Sequence, residues 1–456
     1  MIILVKYLIA ISISILLLFI KDSQERNNSE TVEPRDRTTV SRIYNISRDG
    51  IPKFWKPLKF RSMNCPKLLN KENEHVNKKK HCRKTFGEIP AIFGVSCDDI
   101  KKRGYYPNKP LSKEEKEFPL AYAINVYQDY LKLEMQFLVM YSPQNHYCYG
   151  IDKKSDPIFK RNVHALAKCF PNIYIVKNER NLDNSGTNGN YYNFECMKLL
   201  KNKNYKYLFL LQNDDTPLKT NLELVKILKL YNGTIDMNIG DPIAKQPIYL
   251  NSKKSLIFSS LKMFKKSDKR FWDQKLANLP IKVQKGFMQS SIPKETIDYI
   301  LSEINIETLV DHLNTGKRYS DELLWPTIFT NPYLAVPGWQ HYNCSNKSIF
   351  SKYYMTRKAI FGKSKKCISG YSRHGVCVLG VEALPIIKQW PHFFANKFRS
   401  NFDAGALLCW LEYIYMKKFF LPFEGINENI YLSSPLIKYQ KLKEKESNHT
   451  KICQMI

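Results

Sequence analysis

Between residues 118 and 231, short apolar runs alternate with segments of helical spacing, and this alternation constrains the fold more than any other feature. FPLAYAINVY is followed by DYLKLEMQFLVMY, HYCYGID by DPIFKRNVHALAKC, NIYIV by NYYNFECMKLLKN, and YKYLFLL by NLELVKILKLY. The first member of each pair reads as a strand and the second as a helix. Strands separated by helices form βαβ units, so the sequence predicts an α/β fold with a mostly parallel central sheet and helices on both faces. Ligands of such sheets bind outside the carboxyl ends of the strands. Asp152 ends the second strand and Asp214-Asp215 end the fourth, which puts these acids at the mouth of a site. No glycine-rich dinucleotide fingerprint or Walker-type loop follows the first strand, which argues against a dinucleotide enzyme or an NTPase.

Three further stretches carry residue types suited to chemistry. QNDDTP offers two carboxylates to Mg²⁺ or Mn²⁺. Adjacent side chains on an extended segment point opposite ways, however, and Asp215-Thr216-Pro217 also reads as a cap before the NLELVKILKLY helix. YSDELLWPTIF sets Asp321 and Glu322 beside apolar residues, where a carboxylate suits general-base work. Ser320 as a helix cap with two acids in the first turn explains the same letters. SRHGVCVLG and PHFFANKF place Arg373, His374 and Lys397 around a strand–helix unit, where cations can neutralise a leaving diphosphate or simply face solvent. Farther on, KETIDYILSEI reads as a helix, GVCVLGVEALPIIKQW as strand then helix, and FDAGALLCWLEYIYMKKFF as one long apolar helix.

The ends of the chain bear on location. Its 456 residues include a stretch from Ile2 to Ile20 with Lys6 as the one charge, about the 20 residues a bilayer needs. We read residues 1–22 as an uncleaved signal anchor, with a cleaved signal peptide as the alternative. Residues 23–60 read as a polar lumenal stem, 61–430 as the folded domain and 431–456 as a polar C-terminal tail. Sequons at Asn27, Asn45, Asn232, Asn343, Asn346 and Asn448 mark N-glycosylation sites of a secretory-pathway protein. The 11 cysteines lack CxxC or zinc spacing and read as disulfides plus an odd thiol. The net charge of +29 calls for an anionic partner. The lysines lie in scattered short runs with no nucleic-acid motif, which argues against nucleic acid and leaves a membrane surface, a phosphate-bearing substrate or a generally basic surface.

In order along the chain, PLSKEEKEFPLAYAINVY, MYSPQNHYCYGIDKKS, CFPNIYIV, FECMKLL, YKYLFLLQNDDTPLKTNLELV, YSDELLWPTI, VCVLGVEAL and HFFANKF resemble the blocks of the core-2/I-branching β-1,6-N-acetylglucosaminyltransferases, with xylosyltransferases as more distant relatives. The resemblance runs from about Cys65 to Cys409. It implies a GT-A-like, disulfide-stapled glycosyltransferase domain in a single-pass type II Golgi membrane protein, with the domain lumenal. The implied reaction is inverting transfer of N-acetylglucosamine from UDP-GlcNAc to a 6-hydroxyl of a glycan or glycoprotein acceptor, as in O-glycan branching, with no metal or other cofactor. By the same resemblance, Glu322 is the catalytic base and Lys397 holds the diphosphate. The partner arginine's position holds His374, with Arg373 one residue earlier. Asp152 contacts the uridine part of the donor, Asn125 stands where the family has an apolar residue near the uracil, and Phe361 replaces an acceptor-packing tryptophan. The implied disulfides are Cys65–Cys409, Cys97–Cys169, Cys148–Cys196 and Cys367–Cys377, leaving Cys82, Cys344 and Cys453.

The chain also departs from the family. Gly186-Thr187-Asn188 replaces a Ser-Trp-Ser stretch, and the charged acceptor contacts expected between residues 235 and 255 are not recognisable. Two alternative functions follow: a catalytically weakened lumenal sugar-binding protein of the same fold, and a relative that uses UDP-xylose.

Overall fold

A computed structural model describes residues 50–70, 83–87, 93–240, 250, 253–338, 352–361 and 366–455. The expected signal anchor, most of the expected stem, and Asn27, Asn45, Asn343, Asn346, Cys82 and Cys344 lie outside the described residues.

Among the described residues the largest sheet runs β3-β2-β1-β4-β7-β6. Its strands are β1 (Leu120–Val126), β2 (His146–Ile151), β3 (Ile173–Ile175), β4 (Tyr207–Gln212), β6 (Asp236–Met237) and β7 (Ser290–Pro293). The first four in spatial order are mutually parallel, as the alternating sequence requires, and β7 enters antiparallel to both β4 and β6. The crossovers use helices α1 (Tyr130–Met140), α2 (Pro157–Cys169) and α3 (Gly189–Leu200); α4 (Asn221–Tyr231) follows β4.

Both faces of the sheet are buried, so its central strands are almost wholly apolar. On one face Ala121 and Ala123 of β1, Cys148 of β2, and Leu208 and Leu210 of β4 pack with Tyr192 and Met197 of α3. The small alanines let α3 lie close to the sheet, and Gly150 belongs to the same design. A Cβ there would stand 2.5 Å from the Tyr192 ring. The opposite face carries an aromatic ladder. Tyr122 stacks between Tyr147 and Phe209, each at 5.2 Å between centroids, and Phe137 of α1 meets Tyr147 edge-on at 5.0 Å.

The QNDDTP segment folds differently from its reading as a helix cap. Thr216-Pro217 form a short strand, β5, and α4 starts at Thr220. Thr220 and Glu223 make a reciprocal capping box, which satisfies two backbone N–H groups at the helix start. β5 pairs antiparallel with β11 (Phe394–Asn396), which pairs parallel with β8 (Arg357–Ala359). A separate hairpin joins β9 (Ser372–Arg373) to β10 (Val376–Cys377). The long apolar segment forms helix α5 (Ser400–Phe419), whose Trp410 indole donates to the Pro217 carbonyl at 2.8 Å. Its buried Leu407, Leu408 and Leu411 place it in the protein core. No helix of the described residues is long and apolar enough to cross a membrane.

All four disulfides implied by the resemblance are formed: Cys65–Cys409, Cys97–Cys169, Cys148–Cys196 and Cys367–Cys377. Cys453 is disulfide-bonded too. Packing begins before residue 61, because Phe54 is buried against Tyr415 of α5. The end of the chain is structured as well. Helices Pro435–Lys443 and His449–Met455 bury Leu436, Tyr439 and Ile452 together. The polar composition of 431–456 hides this small apolar cluster. Asn232 and Asn448 are exposed.

Cys65–Cys409 links positions 344 residues apart and ties the start of the domain to α5. Replacing both cysteines by serine should lower unfolding free energy by about 2–5 kcal/mol, read by thermal or denaturant unfolding under oxidising conditions.

Candidate active site

The carboxyl ends of β1, β2 and β4 and the segments after β8 and β11 converge on one region. Asp152 follows β2; its Oδ1 accepts from Lys154 N at 3.1 Å and Leu182 N at 2.9 Å. Its carboxylate thereby fixes the loop after β3. Asn125, near the end of β1, donates from Nδ2 to the Gly189 carbonyl at 3.1 Å, on the α3 side of the sheet. Asn213 accepts from Tyr127 N at 2.9 Å and Gln128 N at 3.3 Å, which pins the turn after β1 to the turn after β4.

Asp214 is buried and fully engaged. Lys132 Nζ meets its Oδ1 at 2.8 Å and Arg399 Nη1 meets its Oδ2 at 2.9 Å. Lys132 also donates to the Phe398 carbonyl at 2.7 Å, and Arg399 to the Tyr127 hydroxyl at 3.1 Å. Burial opposes the charge on Asp214, yet Lys132 and Arg399 outweigh it and hold the carboxyl below its ordinary value. Asp215 accepts from Gln212 N at 2.7 Å and from the side chains of Asn396 and Gln289 at 2.9 and 3.3 Å. Burial pushes its carboxyl up. Neither oxygen of either acid is left without a protein donor. Among the described residues, the one cluster with metal-like spacing is Cys65, Cys409 and Glu412, and its two sulfurs form a disulfide.

A group of cations stands over Asp214. Lys397 follows β11, and its Nζ donates to the Arg373 carbonyl at 3.4 Å. Burial lowers the Lys397 ammonium, Asp214 opposes this, and Arg399, Arg373 and Arg357 add to the lowering. His374 occupies the turn between β9 and β10 with φ of +50°, and Gly375 follows with φ of +73°. Burial and the charges of Arg373, Lys397 and Arg399 lower the His374 imidazole, so it is largely neutral at pH 7. Sequence reasoning placed Arg373, His374 and Lys397 together, and the structure does so. It missed Lys132, Arg399 and Arg357. Arg399 lies two residues beyond Lys397, and both act on Asp214.

The third component is the turn Ser320–Glu322, a 3₁₀ turn in which Ser320 is no helix cap. Glu322 is about one-quarter exposed and meets Lys285 Nζ at 3.4 Å. Burial pushes its carboxyl up, while Lys285, Arg357 and Arg318 pull it down. Asp321 is buried, and burial plus the neighbouring Glu322 charge push it up to about 7. Gln212 at the end of β4 donates to Asp321 at 3.0 Å, and Gln289 donates to Gln212 at 3.0 Å. The Gly186-Thr187-Asn188 departure is explained here. Gly186 has φ of +81°, and a Cβ on it would lie 2.0 Å from Asp321 Oδ1. The loop packs straight onto the acidic turn, and Ser320 N donates to the Ser185 carbonyl at 2.8 Å. Phe361 is half-exposed and stacks on Phe287 at 5.5 Å.

Replacing Asp214 by Asn would leave Lys132 and Arg399 buried without their counter-charge. Unfolding free energy should fall by about 3–5 kcal/mol, with an accompanying drop in Tm in differential scanning calorimetry.

The matches to known proteins agree with this arrangement. The profile of "Branch: Core-2/I-Branching enzyme" matches residues 120–355, which include β1 to β4 and Glu322. Beta-1,3-galactosyl-O-glycosyl-glycoprotein beta-1,6-N-acetylglucosaminyltransferase of Bos taurus is 28% identical over 377 residues, covering 78% of this chain and 86% of the bovine one. The human protein of the same name is 28% identical over 375 residues, covering 78% and 85%. Bovine herpesvirus 4 (strain LVR140) has a protein of that name that is 28% identical over 333 residues, covering 70% and 73%. Among solved structures, core-mannan synthase A of Aspergillus fumigatus overlaps at a TM-score of 0.23 and 14% identity, covering 56% of this chain and 78% of that one. So low a score carries no argument. With the family profile spanning just over half of its length, this chain belongs to the Core-2/I-branching enzyme family.

Proposed function

We propose that the chain is an inverting glycosyltransferase that moves N-acetylglucosamine from UDP-GlcNAc to a 6-hydroxyl of a glycan acceptor without a metal ion. One observation carries the reading: Arg357 acts both on Glu322, a partly exposed carboxylate of raised proton affinity, and on Lys397, whose ammonium meets the Arg373 carbonyl, so a base and a group of cations lie within reach of one guanidinium.

Glu322 takes the proton of the acceptor hydroxyl as that oxygen bonds to the anomeric carbon. The bond from the anomeric carbon to the diphosphate oxygen breaks, and the negative charge released on UDP is met by Lys397 and Arg373. Attack from the side opposite the leaving group inverts the configuration. Arg373 is the partner cation, because a guanidinium stays charged at neutral pH whereas His374 is largely neutral there. Asp152 and Asn125 border the nucleoside end. Phe361, stacked on Phe287, forms the platform for the acceptor sugar. The metal-free reading is supported by the occupation of Asp214 and Asp215 by Lys132, Arg399, Asn396 and Gln289. Golgi lumenal placement belongs to the same reading, supported by the disulfides and by the exposed sequon asparagines Asn232 and Asn448.

The test is transfer from UDP-GlcNAc to galactose- and N-acetylgalactosamine-terminated acceptors in excess EDTA. Wild type should turn over, and Glu322→Gln should lose about 10²–10⁴-fold in kcat. A base works only when ionised, so wild-type kcat/KM should fall as pH drops through the raised Glu322 value, at a higher pH than an ordinary carboxylate would give. Normal turnover by Glu322→Gln contradicts the base assignment, and UDP-GlcNAc binding with no transfer to any acceptor contradicts the activity.

A further inference from the structure

Arg357 is a charged group near both Glu322 and Lys397 that the mechanism above does not use. It opens β8, where its backbone pairs with Phe394 of β11. Its side chain is 8% exposed and hydrogen-bonds the Tyr354 side chain, yet its Nε has no hydrogen-bond partner among the described residues. A buried guanidinium N–H without an acceptor is costly and rare in native proteins. The nearest carboxylate oxygen is Asp215 Oδ1, 3.9 Å from Nη1, too far for a hydrogen bond. Its guanidinium lies over the Phe287 ring at 4.8 Å, the ring on which Phe361 stacks. Asp321, Glu322 and Lys397 all feel its charge. Arg357 therefore lies within electrostatic reach of both the base and the diphosphate cations. A sugar diphosphate reaching from Glu322 to Lys397 would lie within the field of this guanidinium.

We propose that Arg357 is a third donor-binding cation, and that its unpartnered Nε–H donates to a phosphate oxygen of a bound nucleoside diphosphate or its sugar ester. This rests on the glycosyltransferase reading above. The orphaned donor is then satisfied only in the complex, which makes the site selective for a diphosphate over a neutral nucleoside.

Titration calorimetry of the full-length chain with UDP and with uridine tests it. Arg357→Met should bind UDP about 10- to 100-fold more weakly than wild type, the loss expected for one charge-assisted hydrogen bond. Uridine affinity should not change, and Arg357→Lys should fall between wild type and Arg357→Met. Folding is checked by a cooperative melt. A folded Arg357→Met that binds UDP as wild type does overturns the proposal while leaving the transferase reading intact. Wild type that binds no UDP overturns both. Should Arg357→Met not fold, ¹⁵N-labelled wild type decides. The Arg357 Nε–H resonance, identified by its loss in Arg357→Lys, should move on saturation with UDP, and a stationary resonance overturns the proposal.

Discussion

The ion triad Lys132–Asp214–Arg399 is the interaction on which the rest of the site depends. Moving one ion out of water costs several kcal/mol even after the protein relaxes, so a buried carboxylate persists only with close counter-charges. Asp214 has one on each oxygen. Lys132 belongs to the first turn of α1, Asp214 to the turn after β4, and Arg399 to the segment between β11 and α5. The triad therefore joins the parallel sheet to the second half of the chain. Lys132 strengthens the join by donating to the Phe398 carbonyl. With Phe398 and Arg399 fixed, Lys397 has little freedom and stands at the carboxyl ends of the strands. The small sheet β5-β11-β8 completes the support, since Asp236 of β6 accepts from the backbone N–H groups of Met355 and Thr356 and holds the entry to β8.

Every carboxylate oxygen of the acids at the end of β4 has a partner within the protein. The same carboxylates that would coordinate a divalent cation fix the lysines and arginines around the cleft. A metal would have to displace Lys132 and Arg399 from Asp214 and leave them buried and unpaired. On the proposed reading, the positive charge that meets the diphosphate comes from Lys397, Arg373 and Arg357. Arg373 owes its place to a two-residue turn in which His374 and Gly375 both have positive φ, the conformation that matches the twist of a tight hairpin. The Cys367–Cys377 disulfide closes the same hairpin region.

Much of the fold was legible because its signals are local. The apolar runs of β1, β2 and β4 and the helical spacing of α1, α2 and α4 are each contained in about a dozen residues, and strand-to-helix alternation fixes parallel pairing. Glu322 and Lys397 stand in motifs that the resemblance singles out, and their roles belong to the proposal. What the letters hid is non-local. Nothing near Asp214 in sequence announces Lys132 or Arg399, so the letters leave a metal site and a cap as rival readings and show nothing of the ion triad. Thr220 and Asp215 are both good capping residues, and only the pairing of Thr216-Pro217 with β11 decides between them. Arg357 sits in a strand of three residues with no period to reveal its face. The insertion of β7 between β4 and β6 is likewise a choice of tertiary packing. Gly186 is informative only after its neighbour is known, because its missing Cβ makes room for Asp321.

The most direct test of the central claim, that protein cations and not a metal face the diphosphate, is a crystal structure of the chain grown with UDP and Mn²⁺, with anomalous diffraction used to locate manganese. The account predicts the diphosphate held by Lys397 and Arg373, no anomalous peak bridging its oxygens, and Asp214 still paired with Lys132 and Arg399. A manganese peak joining the diphosphate to Asp214 or Asp215 would contradict it.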